Sequence, residues 1–450
     1  MDSNQLFEQT KPIKLFFMAA VPGTLGMLAG SLYGLLEGIF VGQILGETAF
    51  AALNLAFPFV FINFSLADLI GVGSSVPISI SLGQKKSKEA DNFFTCACIM
   101  IIAAGVMMGT LLYLGAPVFI GMLGAEGELK DLAVSYMRVY ALFSPVTTLI
   151  FAMDNYWKIC GRIRGSMYLN IFMSILSALF IFLGLVVFRL GLVGSALGNC
   201  LSLSICVVLA AAPFLRGKET LRFRRPAFSI SLIRRVITTG MPTFLNNVAG
   251  RLTSIIMNRV LILLGGAGAV AVYGVLMYVG DFIQMILYGV CDSLQPAIGY
   301  NWGAGNLKRV KEIGKYCFIG SGVVSLFSFL ASFFFPETIT GLFIHSEGTA
   351  ATAASAAALV IFSFTFITRW FGFSAQSFLI AINKSFPATI LSLSNALIVP
   401  VALILLFWPL GLTGLWLNFP VTSLIIALLA LFLLKKGLGE RKYRELKRRV

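Results

Sequence analysis

The sequence predicts an all-α polytopic membrane protein of twelve transmembrane helices, and three observations carry that reading. Of 450 residues, 58% are hydrophobic and only 12% are charged, with a mean hydropathy of +0.91. Soluble domains are about 45–50% apolar and about 25% charged, so lipid must solvate much of this chain. Apolar runs of the roughly 20 residues needed to cross a bilayer recur twelve times. Cations return at every second loop, the pattern that sets membrane topology.

The runs follow in order. Spans 14–43 and 51–83 start after Lys11 and Lys14 and end before Lys85, Lys86 and Lys88. Spans 92–123 and 131–157 end at Lys158, Arg162 and Arg164. Spans 166–188 and 190–215 lead into a basic stretch, Arg216 to Arg235. Spans 236–264 and 268–300 precede Lys308, Arg309, Lys311 and Lys315; spans 311–335 and 351–381 precede Lys384. Spans 385–408 and 411–434 precede a basic tail from Lys435. On this count 28 of the 34 Lys and Arg fall on one side. The alternate loops, GETA, EGELKD, GGAGA and HSEG, carry almost none. Both termini are therefore predicted to be cytoplasmic, and an odd number of spans would scramble the pattern. The opening MDSNQLFEQTKPIK does not read as a signal peptide, because the apolar run behind it is too long and has no small-residue cleavage site.

The net charge of +15 sits in these short loops, with no nucleic-acid-binding motif, so no nucleic-acid partner is expected. The seven cysteines make no CxxC pair, which argues against a disulfide framework or zinc site. The single histidine, His345, lies in a predicted loop and offers no material for a His metal centre. No Walker A, GxSxG or HExxH sequence is present. Neither ATP-driven transport nor an enzyme is expected, and no cofactor or metal.

An internal repeat appears at an offset of 220 residues. Pro22, Leu25, Ala29, Gly30 and Leu32 meet Pro242, Leu245, Ala249, Gly250 and Leu252. Gly46, Ala49, Ala51, Gly83 and Lys88 meet Gly266, Ala269, Ala271, Gly303 and Lys308, and LGLVG at 190–194 meets LGLTG at 410–414. The expected organisation is an N-terminal six-helix lobe (1–215), a cytoplasmic basic linker (216–235) and a C-terminal six-helix lobe with a basic tail (236–450). Six is even, so both lobes insert alike, as parallel repeats about a pseudo-twofold axis along the membrane normal. Lobes of this kind can rock around a central cleft, which points to a transporter.

Ionisable groups inside spans are costly, and they are functional or paired. Glu37 is the candidate in the first span; the competing reading is a side chain snorkelling near the interface. Asp68, Asp281, Asp292, Arg251, Arg259 and Arg369 are the others. Pairing among them, such as an Arg of the seventh span with Asp281, competes with a role in binding. Asp154 and Arg138, near span ends, read as interfacial. Gly26, Gly30, Gly34, Gly38, Gly42 and Gly46 recur every four residues in the first span. They allow either close helix packing or, with Pro22 removing a backbone hydrogen bond, a bend. Tyr33, Asn246, Asp281, Gln284 and Gln376 are the candidates for lining a mostly apolar substrate cleft.

At 33–46, YGLLEGIFVGQILG, with Ala51, Ala52, Pro58 and the run from Gly73 to Gly83, the chain resembles the multidrug and toxic compound extrusion (MATE) family. QPAIGYNWGAG at 295–305 resembles its bacterial multidrug branch. The resemblance implies an antiporter of the bacterial inner membrane, acting as a monomer, that exports organic, cationic or amphipathic small molecules in exchange for H⁺ or Na⁺. The family's first-span acid falls on Glu37 and its bend proline on Pro22. Its fifth-span Asn and Asp fall on Ser177 and Ile181, and its sixth-span positions on Ser195 and Asn199. Glu37, Ser177 and Asn199 thus become the ion-coupling candidates. With Ile181 in place of an acid, H⁺ is the expected ion and Na⁺ the alternative, since a hard cation wants several oxygen ligands. The acids some members carry in spans seven and ten are absent, where this chain has Arg251, Arg259 and Arg369. A flippase for lipid-linked oligosaccharide is the alternative function.

Overall fold

In a computed structural model that describes residues 5–341 and 349–447, every secondary-structure element among the described residues is helical. His345 lies outside them. Eleven helices are long and apolar enough to cross a membrane: α1 (Pro12–Leu45), α2 (Glu47–Gly83), α3 (Ser87–Met122), α4 (Gly127–Ile159), α5 (Ile163–Val187), α6 (Gly191–Leu215), α7 (Ile230–Gly266), α8 (Gly268–Gly303), α9 (Leu307–Phe334), α11 (Ser385–Leu406) and α12 (Trp408–Lys436). Between α9 and α11, Ala353–Ser363 and Thr365–Ala381 form α10, a pair bent by 48° that makes twelve spans when counted as one.

The turns follow the 220-residue offset. Gly46 and Gly266 both take positive φ, as do Gly191 and Gly411, and Lys85 and Gly305. Left-handed backbone favours glycine because a Cβ is strained there. These turns set where each span stops and its partner begins, which is why helix boundaries in the second half repeat those of the first.

The described residues divide into two compact units, residues 1–240 with 299–305, and residues 241–298 with 306–450. The reason that 236–240 and 299–305 belong to the first unit lies in α2. From Leu69 to Gly83 this helix is almost wholly buried. A Cβ at Gly73 would overlap the Val236 carbonyl, and one at Gly240 the Leu69 carbonyl. Likewise Gly83 would meet the Tyr300 carbonyl and Gly303 that of Ile80. Helices surrounded by lipid gain little from burying apolar surface against one another, so small residues that admit close backbone packing hold them together.

The first unit's core gathers Val41, Ala52, Ala56, Leu112, Tyr136, Ile181 and Cys200, and the second's gathers Met257, Leu261, Leu276, Phe362 and Leu415. Apolar side chains such as Leu114 and Met122 are 71% and 78% exposed. On a span these are lipid-facing positions.

The basic stretch after α6 is tied to the first unit by acids. Asp91 accepts from the Arg222 backbone N–H at 2.9 Å and pairs with the Arg224 guanidinium at 2.8 Å. Glu219 pairs with Arg162 at 2.6 Å, and Asn92 exchanges two hydrogen bonds with the Ala227 backbone. These acids are enclosed, while Arg216, Lys218, Arg222 and Arg225 remain exposed.

Candidate functional site

Glu37 is 1% exposed in the middle of the first unit, so it is a core residue and not a snorkelling one. Three helices besides its own supply its surroundings. On α4, Tyr136 donates its hydroxyl to Glu37 Oε1 at 2.9 Å. On α6, Ser195 donates to the same oxygen at 2.8 Å, and Asn199 Nδ2 donates to Oε2 at 3.1 Å. The second Asn199 amide hydrogen goes to the Tyr140 hydroxyl at 2.6 Å. On α5, Ser177 donates to Asn199 Oδ1 at 2.7 Å, which turns the NH₂ end of that amide toward the carboxylate.

All three direct partners are neutral donors. Each hydrogen bond to a charged acceptor contributes about 1.5–3 kcal/mol, and together they offset a burial cost of several kcal/mol for the carboxylate. Chemically this is a proton acceptor enclosed by groups that rotate: the hydroxyls of Tyr136, Ser195, Tyr140 and Ser177 can donate or accept, so the group can re-form around a carboxylic acid. A sodium ion would need oxygens where Asn199 now presents hydrogens. Ile181 is fully buried among apolar side chains and adds no ligand. Among the described residues no group of three or more His, Cys, Asp or Glu could hold a metal.

The structure thus brings Glu37, Ser177 and Asn199 into one hydrogen-bonded group. Tyr136 and Tyr140 escaped the sequence reading. Their only sequence signal was two tyrosines one helical turn apart within a span; in the fold their rings lie 5.0 Å apart.

Beside α1 lies a second polar group. Asp154, near the end of α4 as its position in the span suggested, is enclosed by the helices around it. It pairs with Lys158 at 2.6 Å, and their side chains are only 15% and 4% exposed. Asp154 Oδ1 accepts from Ser166 and from Asn170 Nδ2. Asn170 in turn rests on Gly26 and Gly30 of α1. Of the six-glycine row, these two face another helix closely, whereas Gly38 and Gly42 face only Phe50 and Gly34 has nothing within 4 Å. Pro22 sits within α1, one turn before Gly26.

In the second unit, Arg369 Nε donates to Gln284 Oε1 at 3.1 Å, and the charges of Arg369 and Arg251 both act on Asp281. Asp281, Gln284, Arg251 and Arg369 therefore belong together. Gln376 is buried on α10, Asn246 is half-buried on α7, and Arg259 is exposed. The Tyr33 side chain lies outside the described residues. On α8 and α10, Gln295 and Ser377 both donate to Asp292.

A helical bundle with this many membrane-crossing segments, and with a core carboxylate, Glu37, that makes no ion pair among the described residues, belongs to the class of polytopic membrane transport proteins. The chain is a member of the MatE family, whose model matches residues 22–183 and 242–406, one stretch in each half. It is 27% identical over 448 residues to the multidrug export protein MepA of Staphylococcus aureus strain COL, covering 95% of this chain and 94% of the relative. The MepA of Staphylococcus saprophyticus is 25% identical over 443 residues, with the same coverage. Among solved structures, a MATE protein in its bent conformation has a TM-score of 0.92 at 21% identity, covering 99% of each chain. A MOP superfamily transporter from Pyrococcus furiosus, described as having a binding pocket of reversed polarity, has a TM-score of 0.92 at 21% identity, covering 98% of this chain and 99% of the other.

Proposed function

We propose that this protein is a secondary active antiporter that exports organic, cationic or amphipathic small molecules in exchange for protons, with Glu37 as the proton-carrying residue. The observation that carries the reading is the enclosed Glu37 carboxylate with neutral, rotatable donors and no counter-ion. Burial disfavours the charged form, so taking up a proton removes a buried charge. The relatives named as multidrug exporters support the substrate class. Sodium is the less favoured ion, because Ile181 supplies no second carboxylate and Asn199 offers hydrogens. Protonation would ease the contacts of Glu37 with α4 and α6 and let α1 bend near Pro22, shifting the balance of two conformations. A lipid-linked oligosaccharide flippase finds no support among these relatives.

Efflux of ethidium from proteoliposomes under imposed pH and sodium gradients, applied separately, tests this. The pH gradient should drive efflux, and Glu37→Gln, which mimics the protonated form, should abolish the driven component while leaving ethidium binding. Efflux that follows sodium at clamped pH would sink the proposal.

The cation distribution supports a cytoplasmic side for both termini and the 216–235 stretch, and the bacterial relatives support the inner membrane as its site. Lys218→Cys should then resist an impermeant thiol reagent in intact cells and react in inverted vesicles. The background is low: all seven native cysteines are buried, and burial pushes the Cys160 thiol, in the turn between α4 and α5, up to about 12.

A further inference from the structure

The polar side chains of α5 fall on one stripe. Ser166, Asn170, Ser174 and Ser177 are spaced by four, four and three residues, which keeps them on a single face of a helix. Ser166, Ser174 and Ser177 are 2%, 6% and 0% exposed. At one end Ser166 and Asn170 donate to Asp154. In the middle Ser174 donates to the carbonyl of Ala29 on α1. At the other end Ser177 donates to Asn199, whose amide holds Glu37. Neighbouring positions on such a stripe lie about 5–6 Å apart, a gap that one water closes with a hydrogen bond on each side.

We propose that this stripe is a proton path and that Asp154, ion-paired with Lys158, is the second proton-accepting residue of the transport cycle. The proposal rests on Glu37 carrying the proton. The step is a proton transfer only. The Glu37 carboxylic O–H bond breaks, a water bridging Glu37 to the Ser177 hydroxyl past the Asn199 amide takes the proton, successive hydroxyl and water exchanges carry it along α5, and an O–H bond forms on an Asp154 carboxylate oxygen. Asp154 then releases it beside the 160–162 turn, and no electrons change hands. The charged neighbour on its own helix is Lys158, whereas α5 presents neutral Ser166 and Asn170 and α1 presents glycines at this point.

An alternative use of the stripe is packing alone, because serines commonly bond back to their own helix, as Ser174 also does to Asn170. Packing does not account for the enclosed acid at each end, nor for Asn170 linking Asp154 to the glycine face of the helix that carries Glu37.

The test uses the full chain in proteoliposomes with ethidium outside and a pH indicator trapped within. Asp154→Asn leaves Lys158 unpaired, so the double variant Asp154→Asn, Lys158→Met, which removes both charges, is compared with it. Ser174→Val, which keeps the pair, blocks the stripe, and Ser174→Thr restores the hydroxyl. The double variant and Ser174→Val should bind ethidium with unchanged Kd but lose about a hundredfold in pH-driven turnover, the usual scale for a positioned proton-transfer group. Ser174→Thr should recover it. Wild-type turnover in the double variant, or in Ser174→Val, would overturn the path while leaving the antiport reading standing. Wild-type turnover in Glu37→Gln would instead remove that reading and the path with it.

Discussion

The two halves share helix boundaries and turn glycines, yet their interiors differ at the same repeat positions. Adding 220 to Glu37, Tyr136, Tyr140, Ser177, Ser195 and Asn199 leads to Met257, Ala356, Val360, Leu397, Leu415 and Phe419. Met257 and Leu415 are buried in the apolar core of the second unit, with Phe419 packed against it. The converse holds for the second unit's polar group: Asp281, Gln284 and Arg369 answer to Phe61, Phe64 and Leu149. One backbone plan therefore hosts a carboxylate network in one half and a dry core in the other. Positions that build the fold stay alike, and positions that carry chemistry diverge, which localises the proposed proton coupling to the first half.

Swapping the two addresses gives the largest expected effect. Met257→Glu places a carboxylate in the apolar cluster of Leu261, Leu415 and their neighbours, and should cost roughly 3–5 kcal/mol, the scale of an uncompensated buried charge. Glu37→Met should keep the fold. Asn199 retains Ser177 and Tyr140, and the loss of the acceptor of Ser195 and Tyr136 is offset by removing a buried charge. Thermal unfolding in detergent separates the two; equal losses would mean that the addresses are equivalent after all.

A symmetric pair should behave symmetrically. Gly83 and Gly303 occupy one repeat position, and their contacts, the carbonyls of Tyr300 and Ile80, occupy another. Gly83→Ala and Gly303→Ala should each destabilise by about 1–3 kcal/mol, the usual cost of overpacking, and by similar amounts. A large inequality in melting temperature would limit the repeat to sequence. The smallest effect is expected at Ser177→Ala, which strands Asn199 Oδ1 without its donor and should cost about 1 kcal/mol. No loss of stability there would mean that the amide is held by Glu37 and Tyr140 alone.

Much of this was legible in the order of residues. The twelve apolar runs, the alternating cations and the 220-residue offset are one-dimensional signals, and bilayer thickness converts them directly into spans. Glu37 stood out because one carboxylate in an apolar run is costly wherever it faces. Ser177 and Asn199 were reached through the family resemblance and not from their chemistry, since a serine in a span satisfies itself on its own helix. Hydropathy reports depth in the membrane, not the direction a side chain faces. For that reason the sequence put Asp154 near a span end without showing that the packing of α4 on α5 encloses it with Lys158, and Tyr136 and Tyr140 passed as ordinary apolar-run aromatics. Sequence alone determined that the chain is a doubled six-span membrane bundle with an acid in its first span. Only the tertiary structure decided that α4, α5 and α6 converge on that acid with neutral donors, because hydrogen bonds between helices depend on facing and distance, which a linear pattern does not encode.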